Sequence, residues 1–411
     1  MIWPTCSITQ RTYGRRCTGY FVVIASLLLL MAGSACANQV TQQQAEQGLQ
    51  WQQTLVSAKG ATVYFYAWGG SKPVNDYLRW ASKELADRYQ IRLRHVKVAD
   101  ISEAISRLTA EAGSQSAIDL LWVNGENFSY LKQQQLLLGQ LWSHIPNTAL
   151  LATDTLPLQH DFGVAMDEFE VPWGMGQFNV ISNATLFKQS ADTTPDALST
   201  NNTISPSSLL AAAKRYPGKI SYPRPPEFHG TTFLKQLLVA LSANDQRLLH
   251  TATVEAQAEL LPLLWNYLDQ LHPLSWQQGR AFPSSNTEQL SLFQQQQLAM
   301  VVSFNPNQLV KDQQSARLAA TSQRHYFAQG AITNSHNLAI PKGAQSPDAA
   351  KVVINFLLSE YAQQQKLTGS WGDPTVIKPL IDDAATLPAQ QELHSSWQQV
   401  IEVSWQQRYG A

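Results

Sequence analysis

Three short runs rich in β-branched and aromatic residues, at 62–68, 91–98 and 118–123, are each followed by a longer segment with helical spacing. This alternation constrains the fold most, because parallel strands need a crossover long enough to carry a helix. The first run stops at Gly69-Gly70, and a helix predicted over 74–89 sets Tyr77, Trp80, Ala81 and Leu85 along one face. The spacing predicts a second helix over 101–112. The third run, apolar apart from Asp119, ends at Asn124-Gly125, with another helix from Glu126. Together these imply βαβ units and a parallel sheet covered on both faces.

Beyond Trp173 the pattern lapses and then resumes. Strands are expected at 177–182, 219–222, 298–304 and 337–341, and helices at 206–216, 231–242, 254–271, 287–298 and 347–367. Ser205-Pro206 marks one helix start, since a Ser side chain caps free N–H groups and Pro suits the first turn. The expected fold class is therefore α/β, with two lobes that are each a mostly parallel sheet flanked by helices. Lobe 1 comprises 58–172 plus 336–411 and lobe 2 comprises 173–335, joined by hinge crossings near 171–177 and 333–340.

The first 37 residues read as a signal peptide. An apolar, charge-free run at 20–32 follows Arg11, Arg15 and Arg16 and leads to Ala35-Cys36-Ala37. It is shorter than the ~20 residues a spanning helix needs. Cleavage after Ala37 leaves 374 of the 411 residues, which is long for one hydrophobic core. Cys36 as the lipid-modified first residue of a lipoprotein is a second reading, although Gly33 stands where Leu is usual. A twin-arginine signal at Arg15-Arg16 is disfavoured by Cys17, Thr18 and Gly19 after the pair. Residues 38–57 form a Gln-rich polar leader or first helix.

All three cysteines, Cys6, Cys17 and Cys36, fall in the leader, so the exported part has neither disulfide nor cysteine metal site. Removing the three leader arginines leaves 26 Lys and Arg against 30 Asp and Glu, about −4, which gives no basic footprint for nucleic acid. These features fit a periplasmic location.

In open α/β sheets, ligands gather at the carboxyl ends of strands, where helix N-termini offer unpaired N–H groups. Those ends read Trp68-Gly69-Gly70, then Asn124-Gly125-Glu126-Asn127, Tyr222-Pro223-Arg224-Pro225 and Phe304-Asn305-Pro306. Aromatic faces beside a few amides suit a small-ligand cleft. There is no Gly-x-Ser-x-Gly elbow, His-Glu-x-x-His pair or phosphate loop, and no catalytic residue, metal or cofactor is assigned.

Plainer roles compete at each position. Trp68 and Trp173 also suit a core, and Glu126 suits the positive first turn of its helix. Arg224 either faces an anion or covers a neighbouring ring. Thr231, after Gly230, caps a helix or binds a ligand. His336, with no neighbouring ligand-spaced residues, reads as structural. Asp373 reads as a turn residue before Pro374, close to Trp371.

Six strings appear in one order: Ala67-Trp68-Gly69-Gly70, DLLWVNGENF at 119–128, Pro172-Trp173-Gly174, YPRPPEF at 222–228 with Gly230-Thr231, Phe304-Asn305-Pro306, and Trp371-Gly372-Asp373-Pro374. In these the chain, from about Lys59 to Tyr409, resembles the YnjB family of ABC-transporter solute-binding proteins. The resemblance implies a two-lobe type II periplasmic binding protein, acting as a monomer, that delivers a solute to a separate permease and ATPase. The tyrosine pair of ferric sites is not evident. The ligand expected from the aromatic strand ends is a small organic cation, thiamine-like or an amine, held by Trp68, Trp173 and Phe304 with Glu126 as counter-charge. The alternative is an exported small-molecule hydrolase built from Asp119, Glu126, Asp373 and His336.

Overall fold

The computed structural model describes residues 45–98, 101–123, 125–184, 186, 202–381 and 387–410. The leader through Ala37, with its Cys36 lipidation reading, lies outside the described residues, and so do Asn124 and the side chain of Glu126. Residues 45–58 are helical (α1). Residues 54–411 form one compact unit, to which the following elements belong.

The chain runs β1 (Thr62–Trp68), α2 (Lys72–Tyr89), β2 (Arg92–Val98), α3 (Ser102–Ala110), β3 (Leu120–Val123), α4 (Glu126–Gln133) and α5 (Leu141–His144). After a small hairpin, β4 (His160–Asp161) and β5 (Val164–Ala165), come β6 (Val171–Gln177), β7 (Asn179–Ser182) and β8 (Thr203–Ile204). Helices α6 (Pro206–Arg215), α7 (Phe228–Leu241), α8 (Val254–Leu271) and α9 (Asn286–Gln294) precede β9 (Met300–Ser303). The chain ends with α10 (Gln308–Gln314), β10 (Gln323–Phe327), β11 (Ala331–Ala339), α11 (Pro347–Leu357), α12 (Glu360–Thr368), β12 (Ala389–Gln391) and α13 (Ser395–Tyr409).

Two sheets organise these elements. The first has the order β12-β11-β3-β1-β2, with β6 also on β11, and the second is β8-β10-β7-β9. In β1 the period-two pattern buries Val63, Phe65 and Ala67 and turns Tyr64 and Trp68 outward. Each such buried large side chain contributes about 1.5–3 kcal/mol. Asp119 is structural: its carboxylate accepts from the Tyr64 and Ser346 N–H groups at 3.0 and 2.8 Å, tying β3 to β1 and to the start of α11.

The expectation of mostly parallel sheets holds for β2-β1-β3 and for β11-β12. The pairs β6-β11, β3-β11, β7-β9 and β7-β10 are antiparallel. The reason is connectivity: β6 carries the chain towards the second sheet and β11 brings it back, so the two neighbours run in opposite directions. Their register, Thr333 opposite Gln177 through to Leu338 opposite Val171, coincides with the two crossing segments expected from the sequence.

Gln177 joins three strands of chain there. Its buried amide donates to Thr333 Oγ1 and Leu387 O at 3.1 and 2.9 Å and accepts from Leu387 N–H at 3.1 Å.

Three local expectations need correction. Residues 219–222 form no strand, because their backbone is held by single bonds, Lys219 O accepting from Ala299 N–H and Ile220 O from Trp276 N–H, and by the Gln289 side chain on Ser221 O. The helix expected over 347–367 is two helices, the second capped by Ser359, whose hydroxyl accepts from Ala362 N–H. And α13 does not stay with the first sheet. Trp397, Ile401 and Trp405 belong to the core that holds Phe178, Tyr222 and Leu234, because α13 covers the apolar face of α7.

Candidate functional site

Between the two sheets lies a cavity of about 680 Å³. One wall comes from the first sheet and its loops: Trp68, Trp122, Asn334, His336, Trp371 and Asp373. The other comes from around the second: Phe228, His229, Asn286, Phe304, Asn305 and Gln308. Met175 and Gly176 of β6 line the cavity where the two meet.

On the first wall, Trp68 is 47% exposed at the end of β1. Its indole lies over Gly70, where a Cβ would come within 2.6 Å of the ring, so Gly70 makes room for Trp68 rather than lining the cavity. Gly69 packs on the Lys97 stem, and its carbonyl accepts from Asn75 Nδ2 at 2.9 Å. Trp122 meets His336 and Trp371 at ring distances of 5.3 and 5.8 Å. Trp173 lies behind them, fully buried, 5.3 Å from Trp122 and 5.4 Å from Trp371. It supports the wall and is not part of it.

Asp373 is the charged centre of this wall. It lies 2.6 Å from Lys366 Nζ and 2.9 Å from His336 Nε2, and Lys366 also donates to Pro374 O at 2.9 Å. Burial alone would raise the Asp373 carboxyl, but the Lys366 ammonium and His336 outweigh it and hold it below the usual range. Burial pushes Lys366 down, opposed by the same carboxylate. Gly174 is required here, since a Cβ would run into Asp373, with Lys366 Nζ only 2.7 Å away.

On the second wall, Phe228 and Phe304 meet edge to face at 5.0 Å. His229 pairs with Glu227 at 3.0 Å, and Glu227 also caps α7 by accepting from Gly230 N–H at 3.0 Å. The two walls touch. Gln177 N–H donates to Phe304 O at 2.9 Å. Asn307 Nδ2 and Asn305 Nδ2 reach Gly372 O at 3.1 and 3.4 Å, and Lys311 Nζ reaches Gly369 O at 2.6 Å. The loop that presents Trp371 and Asp373 to the cavity is thus gripped from the opposite side.

Of the residues expected from the sequence, Trp68, Phe304, Asn305, Trp371 and Asp373 are brought together on the cavity wall. Tyr222 is not among them. It is buried, accepts from Trp405 Nε1 at 2.9 Å and pairs with His272 at 2.8 Å; burial takes His272 down to about 4 and its ring is neutral. Thr231 is buried and donates to Glu402. Arg224 is exposed, and Asn127 is half-buried off the lining. These four residues come from two of the strings, each of which also sends another residue, Phe228 or Trp122, to the cavity wall.

Trp122 and Phe228 were missed as lining residues, and His336 entered only the hydrolase alternative. The first two lay inside the strings DLLWVNGENF and YPRPPEF, one residue before a strand end and at a helix start. His336 reads as structural in sequence because its partner Asp373 is 37 residues away.

A family model for bacterial extracellular solute-binding proteins matches residues 80–392. Protein YnjB of Escherichia coli (strain K12) is 38% identical over 377 residues, covering 88% of this chain and 94% of that protein. An ABC transporter structure from Clostridium perfringens ATCC 13124 superposes with a TM-score of 0.61 at 12% identity, covering 85% of this chain and 98% of that one. The spermidine/putrescine substrate-binding protein PotD of Streptococcus pneumoniae gives a TM-score of 0.56 at 16% identity, with 85% and 96% covered. At such identities these two structures speak for the fold.

Proposed function

This chain belongs to the bacterial extracellular solute-binding protein family, and from that premise we propose that its cavity captures a small organic cation, thiamine-like or an amine. The protein is an extracytoplasmic solute-binding component of an ABC transporter with a type II periplasmic binding protein fold. In our reading it works as a monomer in the periplasm and hands its solute to a permease driven by a separate ATPase.

One observation carries the ligand class. The cavity is walled by aromatic faces and a carboxylate, and no Lys or Arg is among the described residues that line it. Ring faces attract cations, whereas an oxyanion would meet no Lys or Arg on the described lining. PotD, a fold neighbour, is named for two amines, which is in keeping with that chemistry. Asp373 supplies the described carboxylate, already paired with the Lys366 ammonium; Glu126 remains the proposed counter-charge.

Capture needs no bond making. We take lobe 1 as 58–172 with the first-sheet strands after 336, and lobe 2 as 173–335 with α13 docked on it. The contacts from Asn305, Asn307 and Lys311 to the loop at 369–373 are those a closed form would gain. A few kcal/mol of such contacts suffices to shift an open-closed equilibrium.

Mass spectrometry of whatever co-purifies, followed by calorimetry with thiamine, spermidine and sulfate, tests the proposal. Tight binding of sulfate with none of the cations would refute it.

A further inference from the structure

His336 is held on two edges of its ring, which leaves one free. Nε2 lies 2.9 Å from Asp373 Oδ1. The Cδ2 edge faces β6, where a Cβ on Gly174 would come within 2.8 Å of it. Trp371 lies nearly parallel to the ring at 6.3 Å and Trp122 meets it edge-on at 5.3 Å. The remaining edge carries Nδ1. Among the described residues no hydrogen bond reaches that nitrogen, and it is not one of the buried polar atoms left without a partner. His336 lines the cavity with its side chain 22% exposed. Nδ1 is therefore the atom it offers to a solute.

The neighbours decide what that atom does. The Lys366 ammonium, 2.6 Å away, keeps Asp373 a carboxylate, and a carboxylate only accepts. The shared hydrogen therefore sits on Nε2, and the imidazole tautomer that makes this bond carries its lone pair on Nδ1.

We propose that His336 selects, among organic cations, those that bear an N–H. A protonated amine or an amino-substituted heterocycle donates to Nδ1 while Trp122 and Trp371 face its charge. A quaternary ammonium has no hydrogen to give and leaves the acceptor unpaired once water is excluded. Sites built to pair a polar group discriminate strongly against analogues that lack it, because the unpaired group bears the desolvation cost. The selection rests on the cation reading above and adds the donor requirement to it.

Calorimetry of the purified protein with spermidine and thiamine, which carry N–H donors, and with tetramethylammonium and hexamethonium, which carry neither N–H nor O–H, tests this. The same titrations on His336→Phe keep an aromatic ring beside the tryptophans and remove the acceptor. At least one N–H cation is expected to bind roughly ten-fold or more tightly than either quaternary ion, and to lose roughly ten-fold in the variant while quaternary binding is unchanged. Quaternary ions binding the unsubstituted protein as tightly as the amines would overturn the role of His336, whether or not the variant folds. A folded variant that loses all ligands equally would overturn it too. In both cases the cation reading stands. No binding by any of the four cations overturns that reading, and this inference with it.

Discussion

Replacing Lys366 by Met is the sharpest test of how the cavity wall is held. The ammonium is fully buried, 2.6 Å from Asp373 Oδ2 and 2.9 Å from Pro374 O, with Trp173 and Trp371 ring centres 5.8 and 5.7 Å away. Met matches the stem, so packing survives and the loss is electrostatic: Asp373, 4% exposed, keeps only His336. Removing one partner of a buried pair costs about 3–5 kcal/mol, a large part of the 5–15 kcal/mol that typically stabilises a native fold.

The pH dependence has a definite sign. The folded carboxyl of Asp373 is held below the usual carboxylate range, so its contribution is present above the unfolded carboxylate value and is lost as pH falls through the folded one. In Lys366→Met the same carboxyl is buried without its cation, and protonation relieves the variant. Urea unfolding at pH 7 and near pH 3 should show a gap of about 3–5 kcal/mol that narrows in acid, with m unchanged. Lys366→Met combined with Asp373→Asn should recover much of the loss. A gap below about 1 kcal/mol at pH 7, or one of equal size at both pH values, would refute the account.

Gln177→Ala removes an amide that makes three buried hydrogen bonds joining β6, β11 and Leu387; it should cost about 2–4 kcal/mol at roughly 1 kcal/mol per bond, read from the urea midpoint. Burial pushes Asp161 up to about 7 against the Gly125 N–H that it accepts at 2.6 Å. A raised acid contributes stability below its unfolded value and loses it as pH rises to the folded one. Asp161→Asn, which keeps an acceptor for Gly125, should therefore flatten the decline in melting temperature between about pH 4 and 7, and an unchanged slope would count against it. Gly176→Ala would push a Cβ into the Phe304 ring and to 2.8 Å from the Phe304 carbonyl; it should cost about 1–3 kcal/mol and weaken binding of whichever solute co-purifies, measured by calorimetry.

Local pattern already contained much of the fold. Alternation in β1 buries Val63, Phe65 and Ala67, and the spacing of Val74, Tyr77, Leu78, Ala81 and Leu85 sets the buried face of α2, because both depend on periods of a few residues. The same reading put Trp68, Phe304 and Asn305 at strand ends, where a cleft gathers its ligands, and Trp371 and Asp373 in a turn after a long helix.

What it could not supply was which side of a turn faces inward. Trp122 and Phe228 sat within strings already singled out, whereas Tyr222 and Thr231, from one of the same strings, turn into a core completed by α13 from the far end of the chain. The direction of β11 beside β6, the break between α11 and α12, and the Lys366-Asp373-His336 cluster likewise depend on partners distant in sequence. The chain alone determined an α/β protein with its elements in order and aromatic strand ends, since propensity and periodicity act over one or two turns. Only tertiary structure decided which of those ends form a wall and which ionisable groups meet behind it, since burial and charge pairing are set by whatever the rest of the chain brings alongside.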